Sequence, residues 1–282
     1  MAEPTLYVVA TPIGNLRDIT LRALDTLKSV DVIAAEDTRV SRKLLGHFGI
    51  HTQLIATHEH NEREAAQQLV KLLEQGKSVA LISDAGTPAI SDPGTIAVAH
   101  VRAAGFRVVA IPGASAITAA IASAGLQSVS FCFHGFLPAR KGEREKALAA
   151  LKTRRGLQVF YEAPHRIVES VASMAAILGG DRQVAIAREL TKLFEQLHVC
   201  RLDEAVDWLE YSENHRRGEF VLLVEGGDET GAPQESETGR VLEVLLEELP
   251  LKQAVGLAAA ITGMKKNALY DRALKLKKNA EQ

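Results

Sequence analysis

Acidic side chains follow apolar runs at several points of the sequence. Glu36 and Asp37 close "DVIAAED", Asp84 follows "SVALIS", and Glu162 ends "LQVFYE". A carboxylate at the end of a buried strand faces whatever occupies the sheet edge, and can accept a proton there. The same positions serve equally well as helix caps or as ion-pair partners of Arg39, Arg166 and Arg188. Arg17 and Arg39 also follow strand ends, where a guanidinium can grip a phosphate. Asp84, Glu36 and Arg17 are therefore the candidate catalytic groups. In "THEHNE", His58 and His60 flank Glu59, and an extended segment puts both imidazoles on one side. A metal usually takes three or four protein ligands; no third is apparent, so no metal site is expected.

Asp84 opens a stretch that is too elaborate for a simple turn, "SDAGTPAISDPG" (83–94). Glycine lets backbone approach a ligand closely and proline fixes the loop's shape in advance. Placed after a strand, such a loop sits at the carboxyl edge of a sheet, where open α/β sheets bind ligands. Asp84, Gly86, Thr87, Pro88, Ala89 and the adjoining Ile90 are read as cupping a small, partly polar molecule. The first strand is followed by the lone Gly14 of "TPIGN" rather than G-x-G-x-x-G, and no G-x-x-x-x-G-K-[ST] occurs. Neither a dinucleotide-binding fold of the usual kind nor a P-loop NTPase is supported.

The elements that must position these residues alternate. "LYVVA", "DVIAAED", "SVALIS" and "FRVVAIPG" read as strands, and "DITLRALDTLKSV", "NEREAAQQLVKLLEQG", "DPGTIAVAHVRAAG" and "ASAITAAIASAG" as helices. Asp18 and Asp92 are the expected N-caps, Pro93 the first helical residue, and Gly76 a helix-ending residue. Strand–helix alternation with short loops predicts an α/β domain on a largely parallel sheet. A second α/β unit follows, with strands at "SFCFHGFL", "LQVFYEA", "QVAIARELT" and "FVLLVEG" and helices at "APHRIVESVASMAAILGG" and "DEAVDWLEYSE". The boundary falls near residues 112–130, set at 117/118. Residues 226–239, "GGDETGAPQESETG", contain no Val, Ile, Leu or aromatic residue and read as a flexible linker. Beyond it three short helices are expected. The resulting division is 1–117, 118–227, a linker at 228–239 and a helical tail at 240–282.

With 282 residues, 46% apolar and 24% charged, the chain has a globular composition. No apolar run is long enough for a membrane span, and no signal peptide is evident. Cys132 and Cys200 form neither a disulfide framework nor a metal knuckle, so both are read as core residues in a reducing cytoplasm. The net charge of -2 argues against a uniformly basic nucleic-acid binder. Positive charge is nevertheless concentrated: residues 139–155 hold seven Lys/Arg against two Glu, and residues 251–282 seven Lys/Arg against one Asp and one Glu. These clusters are either a footprint for a polyanion or two solvated helix faces. The tail segment "LKQAVGLAAAITGMKKNALYDRAL" has the outline of a helix-turn-helix, with a reader helix from Lys265; a packing or dimerisation bundle is the other reading.

"TPIGNLRDIT", "AEDTR", "SDAGTPAISDPG", "IPGASA", "FYEAPHRI", "ARELTKLFEQ" and "GEFVLLVEG" occur in order over about residues 5–226. Together they resemble the tetrapyrrole methylase superfamily, and more narrowly its members that methylate a cytidine 2′-hydroxyl of 16S ribosomal RNA. The resemblance implies two α/β domains with S-adenosylmethionine between them, and a cytoplasmic homodimer acting on 16S rRNA or the small ribosomal subunit. It adds Pro12, Ser115, Ala116, Tyr161 and Leu190 to the cofactor-binding set of Asp84, Gly86, Thr87, Pro88, Ala89 and Ile90. The "GEF" before the last strand closes the far wall. With an RNA substrate, the basic clusters and the cleft mouth offer Arg140, Lys141, Arg144, Arg154, Arg155, Arg166, Lys265 and Lys266 as its contacts. Gly86-Thr87-Pro88 stands where C-methylating relatives carry Gly-Asp-Pro. That departure, with the basic clusters, weighs against a porphyrinoid C-methyltransferase. An intact Gly/Pro loop set weighs against a non-catalytic RNA-binding assembly protein.

Overall fold

The computed structural model describes residues 3–57, 62–227 and 233–280. His58, Glu59 and His60 lie outside the described residues, as do residues 228–232 of the expected linker.

The first unit is a five-stranded parallel sheet in the order β3-β2-β4-β1-β5. Its strands are β1 (Thr5–Val9), β2 (Val32–Ala35), β3 (Gln53–Ala56), β4 (Val79–Ile82) and β5 (Arg107–Ile111). β2 and β4 are buried along their whole length, as continuous apolar runs covered on both faces must be. Helices α1 (Leu21–Ser29) and α2 (Thr38–His47) cover one face around Val9, Leu27, Ile33, Leu45 and Ile82. Helices α3 (Glu62–Glu74) and α4 (Thr95–Ala103) cover the other around Leu6, Leu69, Leu73, Leu81 and Val101. The polar composition of Thr38–His47 and the shortness of Gln53–Ala56 leave α2 and β3 without a clear sequence signal.

The second sheet is not mainly parallel. Its order is β6-β7-β10-β8-β9, and only β6 and β7 run parallel. The strands are β6 (Phe131–Phe136), β7 (Leu157–Glu162), β8 (Gln183–Arg188), β9 (Gln196–Arg201) and β10 (Phe220–Val224). β9 is an edge strand with half-exposed polar residues, which is why its sequence does not read as a strand. Helices α6 (Lys141–Ala149), α7 (Ile167–Leu178) and α8 (Leu202–Tyr211) pack on one face with Phe160, Ile186 and Leu222. Helix α5 (Ala116–Ala124) packs on the other, its Ile117, Ala120 and Ala124 meeting Val159, Ala185, Val221 and Leu223. The chain therefore leaves the first sheet at Ile111 and joins the second with α5. A boundary at 117/118 cuts that helix, and the junction falls at residues 112–115.

Two expected caps are displaced. α1 is capped by Thr20, whose hydroxyl accepts from the Ala23 N–H at 3.1 Å, while Asp18 sits in a preceding 3-10 turn. α4 begins at Thr95 behind Gly94, at φ 138°, so Asp92 and Pro93 belong to the loop and not to the helix. The C-terminal helices are α9 (Pro233–Glu248), α10 (Leu251–Thr262) and α11 (Lys266–Ala280). α9 starts inside the segment assigned to the linker, so residues 233–239 are helical. The three helices share their own core of Leu242, Val255, Ala258, Leu269 and Ala273. Gly263 ends α10 in the left-handed conformation and turns the chain into α11.

Candidate active site

A cavity of about 380 Å3 opens between the two sheets. That is within the range of small-molecule sites, roughly 300–1,000 Å3. The first unit contributes Ile13, the loop residues Gly86, Thr87, Ile90, Ser91 and Asp92, and Ser115–Ala116 at the start of α5. The second contributes Phe136, Tyr161, Glu162, Leu190, Glu219, Phe220 and Val221.

The loop 84–94 reaches this position through strain that its surroundings hold in place. Gly86 exchanges two backbone hydrogen bonds with Thr11, at 2.8 and 3.1 Å, and adopts φ 77°. A Cβ there would lie 3.3 Å from the Ile13 side chain. Ala89 and Ser91 also take positive φ, 69° and 62°, a costly conformation for side-chain-bearing residues. The opposing segment shows the same feature, with Glu189 at φ 51° and Thr191 at 67°. The Thr87 hydroxyl donates to the Ala114 carbonyl at 3.3 Å, tying this loop to the α5 entry. At that entry the Ser115 side chain makes no capping bond, so amide donors of the first turn of α5 remain available toward the cavity.

Of the residues expected at the cofactor, Gly86, Thr87, Ile90, Ser115, Ala116, Tyr161 and Leu190 line the cavity. Pro12, Asp84, Pro88 and Ala89 do not. Pro12 and Pro88 are buried behind the wall and shape it, while Ile13 supplies the surface assigned to Pro12. Asp84 turns toward the end of β2: its Oδ1 accepts from the Asp37 N–H at 3.1 Å, and its own N–H donates to Glu36 Oε2 at 3.3 Å. The carboxylate that reaches the cavity from this loop is Asp92, which the sequence pattern assigns to a helix cap. Burial, together with the like charges of Glu36 and Asp84, pushes its pKa up to about 6 against the opposing bond from Ser83. Arg17 is exposed in the 3-10 turn and outside the cavity wall.

On the second wall, both carboxylates that line the cavity are paired. Glu162 accepts from the Ala163 N–H at 2.8 Å, Arg166 Nε at 2.9 Å and the Ser170 hydroxyl. Arg166 also donates to the Leu137 carbonyl at 2.8 Å. Glu219 is paired with Lys192 at 2.8 Å and is 80% exposed. Burial pushes the Tyr161 phenol up to about 12, with the nearby Asp92 charge adding to the effect. Tyr161 therefore keeps its proton and remains a donor.

The expected RNA contacts divide. Arg140 and Lys141 are exposed at the start of α6 and, among the described residues, pair with Glu143 and Glu145 of the same helix. Cations at a helix N-terminus oppose the helix dipole, so the helix itself gains nothing from them. Arg154 and Arg155 are exposed, but precede β7, whose far end carries Tyr161 to the cavity. At about 3.3 Å per residue they lie roughly 20 Å from it. Lys265 and Lys266 are exposed at the start of α11. Two of the expected residues have their guanidinium groups engaged within the protein. Arg144, 3% exposed, donates to Ser173 Oγ at 3.0 Å and to the Ala139 carbonyl at 3.1 Å, and faces Glu169. Arg166 is committed to Glu162, as above. Both are framework: sequence spacing does not distinguish a buried guanidinium from an exposed one. Cys200 is half-buried and its thiol is pushed up to about 11 by burial, which makes it unreactive.

The sequence matches the family model Tetrapyrrole (Corrin/Porphyrin) Methylases over residues 5–206. It matches the RsmI C-terminal HTH domain over residues 232–277. Among curated relatives, ribosomal RNA small subunit methyltransferase I of Pseudomonas aeruginosa is 51% identical over 280 residues, covering 97% of this chain and 98% of the relative. The protein of the same name from Vibrio cholerae is 52% identical over 269 residues, covering 95% and 93%. Among solved structures, the methyltransferase CobJ superposes with a TM-score of 0.59 at 20% identity, covering 79% of this chain and 94% of that one. Diphthine synthase gives 0.59 at 16%, covering 79% and 89%; at such identities the likeness is one of fold. By the match over residues 5–206 and the near-full-length relatives at about half identity, the chain belongs to the tetrapyrrole methylase family, in its ribosomal RNA small subunit methyltransferase I branch.

Proposed function

We propose that the protein transfers a methyl group from S-adenosylmethionine to the ribose 2′-hydroxyl of a cytidine in 16S rRNA. The observation that carries this reading is the cavity between the sheets, which suits a sulfonium nucleoside at three points. Ile13, Ile90, Leu190 and Val221 offer apolar surface to an adenine. The open amides at the start of α5 suit a carboxylate. The rings of Phe136 and Tyr161 favour a positive centre beside them. When bound, the sulfonium supplies an activated methyl carbon. The protein's own residues do the rest: they hold the reactants in line, exclude water and shape the approach. Positioning of this kind supplies about 7–11 kcal/mol of a barrier.

The RNA is held at two places in this reading. Arg140 and Lys141 grip phosphates near the cavity mouth, and Lys265, Lys266 and the tail bind at a distance. The assembled small subunit, a cytoplasmic location and a homodimer complete the proposal. Purified protein, tritiated cofactor, small subunits and naked 16S rRNA test it. Label in the RNA, with one linkage made resistant to alkali, is the expected result. Label absent from both substrates overturns the reading.

A further inference from the structure

We propose that Asp92 is the general base that takes the proton of the ribose 2′-hydroxyl. This rests on the proposed methyl transfer and names the residue that deprotonates its nucleophile. As the 2′-oxygen forms its bond to the methyl carbon, the carbon–sulfur bond breaks and its electron pair passes to sulfur. The hydroxyl proton passes to the Asp92 carboxylate, and from there to water. The sulfonium and carboxylate charges are both lost, leaving a neutral thioether and a neutral acid.

Geometry selects Asp92 by the state of the other ionisable groups on the cavity wall. These are Tyr161, Glu162 and Glu219. Tyr161 retains its proton. Glu162 is saturated by Ala163, Arg166 and Ser170. Glu219 is bound to Lys192 and turned to solvent. Among the described residues no cation is paired with Asp92, and the one neighbour that lowers its proton affinity is the neutral Ser83 side chain. A carboxylate without a counter-ion keeps its basicity. The groups facing it are Glu36 beyond β2, Asp84 beyond β4 and Tyr161 on β7. The first two are like charges, which raise its proton affinity, while Arg39 is paired with Asp37 and also feels the Asp84 charge. The strained residues Ala89 and Ser91 carry the chain round so that Asp92 meets the cavity wall.

The test compares wild type with Asp92→Asn and Glu36→Gln, using tritiated cofactor and small subunits across pH 5–9, with cofactor affinity measured by calorimetry. Asp92→Asn is expected to lower the single-turnover rate by roughly 10²–10⁴-fold with cofactor affinity retained. In wild type the rate falls as pH drops through about 6, the value to which Asp92 is raised. Glu36→Gln removes a like charge and moves that acid limb to lower pH, a displacement that a purely structural role does not produce. Asp92→Asn with an unchanged rate and pH profile overturns the proposal while leaving the methyl-transfer reading standing. Weakened cofactor binding at an unchanged rate also overturns it, and makes Asp92 a cofactor contact. Wild type that methylates no small-subunit RNA overturns both.

Discussion

On the cavity wall built by the first sheet, Asp92 carries the like charges of Glu36 and Asp84 behind it. On the wall built by the second, Glu162 is bonded to Arg166, Ser170 and its own chain, and Arg144 to Ser173 and a carbonyl behind it. On the second wall a carboxylate meets a guanidinium, whereas on the first the charges acting on Asp92 are of its own sign. Satisfied charges fix a framework, since removing one partner strands the other. Crowded like charges store a raised proton affinity, which is useful only where a proton must be moved. The parallel sheet brings its strand ends and their loops together at one edge of the cavity; the mixed sheet sets a braced surface opposite.

The largest effect is expected on the braced wall. Glu162→Ala leaves the Arg166 guanidinium without its carboxylate, and Ser170 without its acceptor, in a site where the Glu162 side chain is 1% exposed. Removing one member of such a pair costs about 3–5 kcal/mol. Denaturant unfolding measures it, and a loss below about 1 kcal/mol would contradict the framework role. On the opposite wall, Thr87→Trp is expected to leave stability nearly intact but weaken cofactor binding about 100-fold or more, roughly 3 kcal/mol. The indole fills the space beside Ala114 and Ser115 that the ligand needs. Calorimetry with near-normal affinity would place the cofactor elsewhere.

Away from the cleft, the tail offers a milder test. Deletion of residues 228–282 is expected to weaken rRNA binding about tenfold, roughly 1.4 kcal/mol, with cofactor affinity unchanged. The salt dependence of binding should flatten by about 0.7 in log–log slope for every phosphate that the tail neutralises. Equal affinity with and without the tail at low and moderate salt would reduce it to a packing bundle. The pair Arg140→Ala and Lys141→Ala should lower affinity by a smaller step without destabilising the fold, in contrast to Arg144→Ala nearby on the same helix, whose guanidinium is internal.

Apart from the short edge strand β3, the first sheet is legible in the sequence because its strands are apolar runs separated by loop signals, and the loop 83–94 announces itself by its glycine and proline content. The second sheet is only half legible. Antiparallel edge strands such as Gln196–Arg201 carry polar residues facing water, and no short-range pattern marks their pairing direction. Within the site, the sequence locates the loop but not which of its carboxylates meets the cavity. Asp84 and Asp92 are chemically identical and lie in one loop; Asp92-Pro93 matches a helix start, and only the backbone at Gly94 shows that the helix begins later. Arg144 and Arg140 differ likewise in burial alone, a property settled by tertiary packing.

The smallest expected effect separates the two walls by sign. A carboxylate held at about 6 in the folded protein has its unfolded value near 3.9. Below about pH 4 the group is neutral in both states. As pH rises from about 4 to 6 the unfolded chain releases the proton first, so the stability contributed by the protonated form is lost through that window. Above it, the charged Asp92 is a cost to the fold. Asp92→Asn should therefore stabilise the protein at pH 8 by about 1 kcal/mol, a figure reduced by the solvent that reaches part of the side chain, and by almost nothing at pH 4. Thermal unfolding at the two pH values reads the difference directly. Glu162→Gln at the same pH values should destabilise the fold, because its site is built for a carboxylate between Arg166 and Ser170. If Asp92→Asn destabilises as well, the two walls are alike and Asp92 belongs to the framework; if it stabilises while slowing methyl transfer, the first wall gives up stability for a proton acceptor.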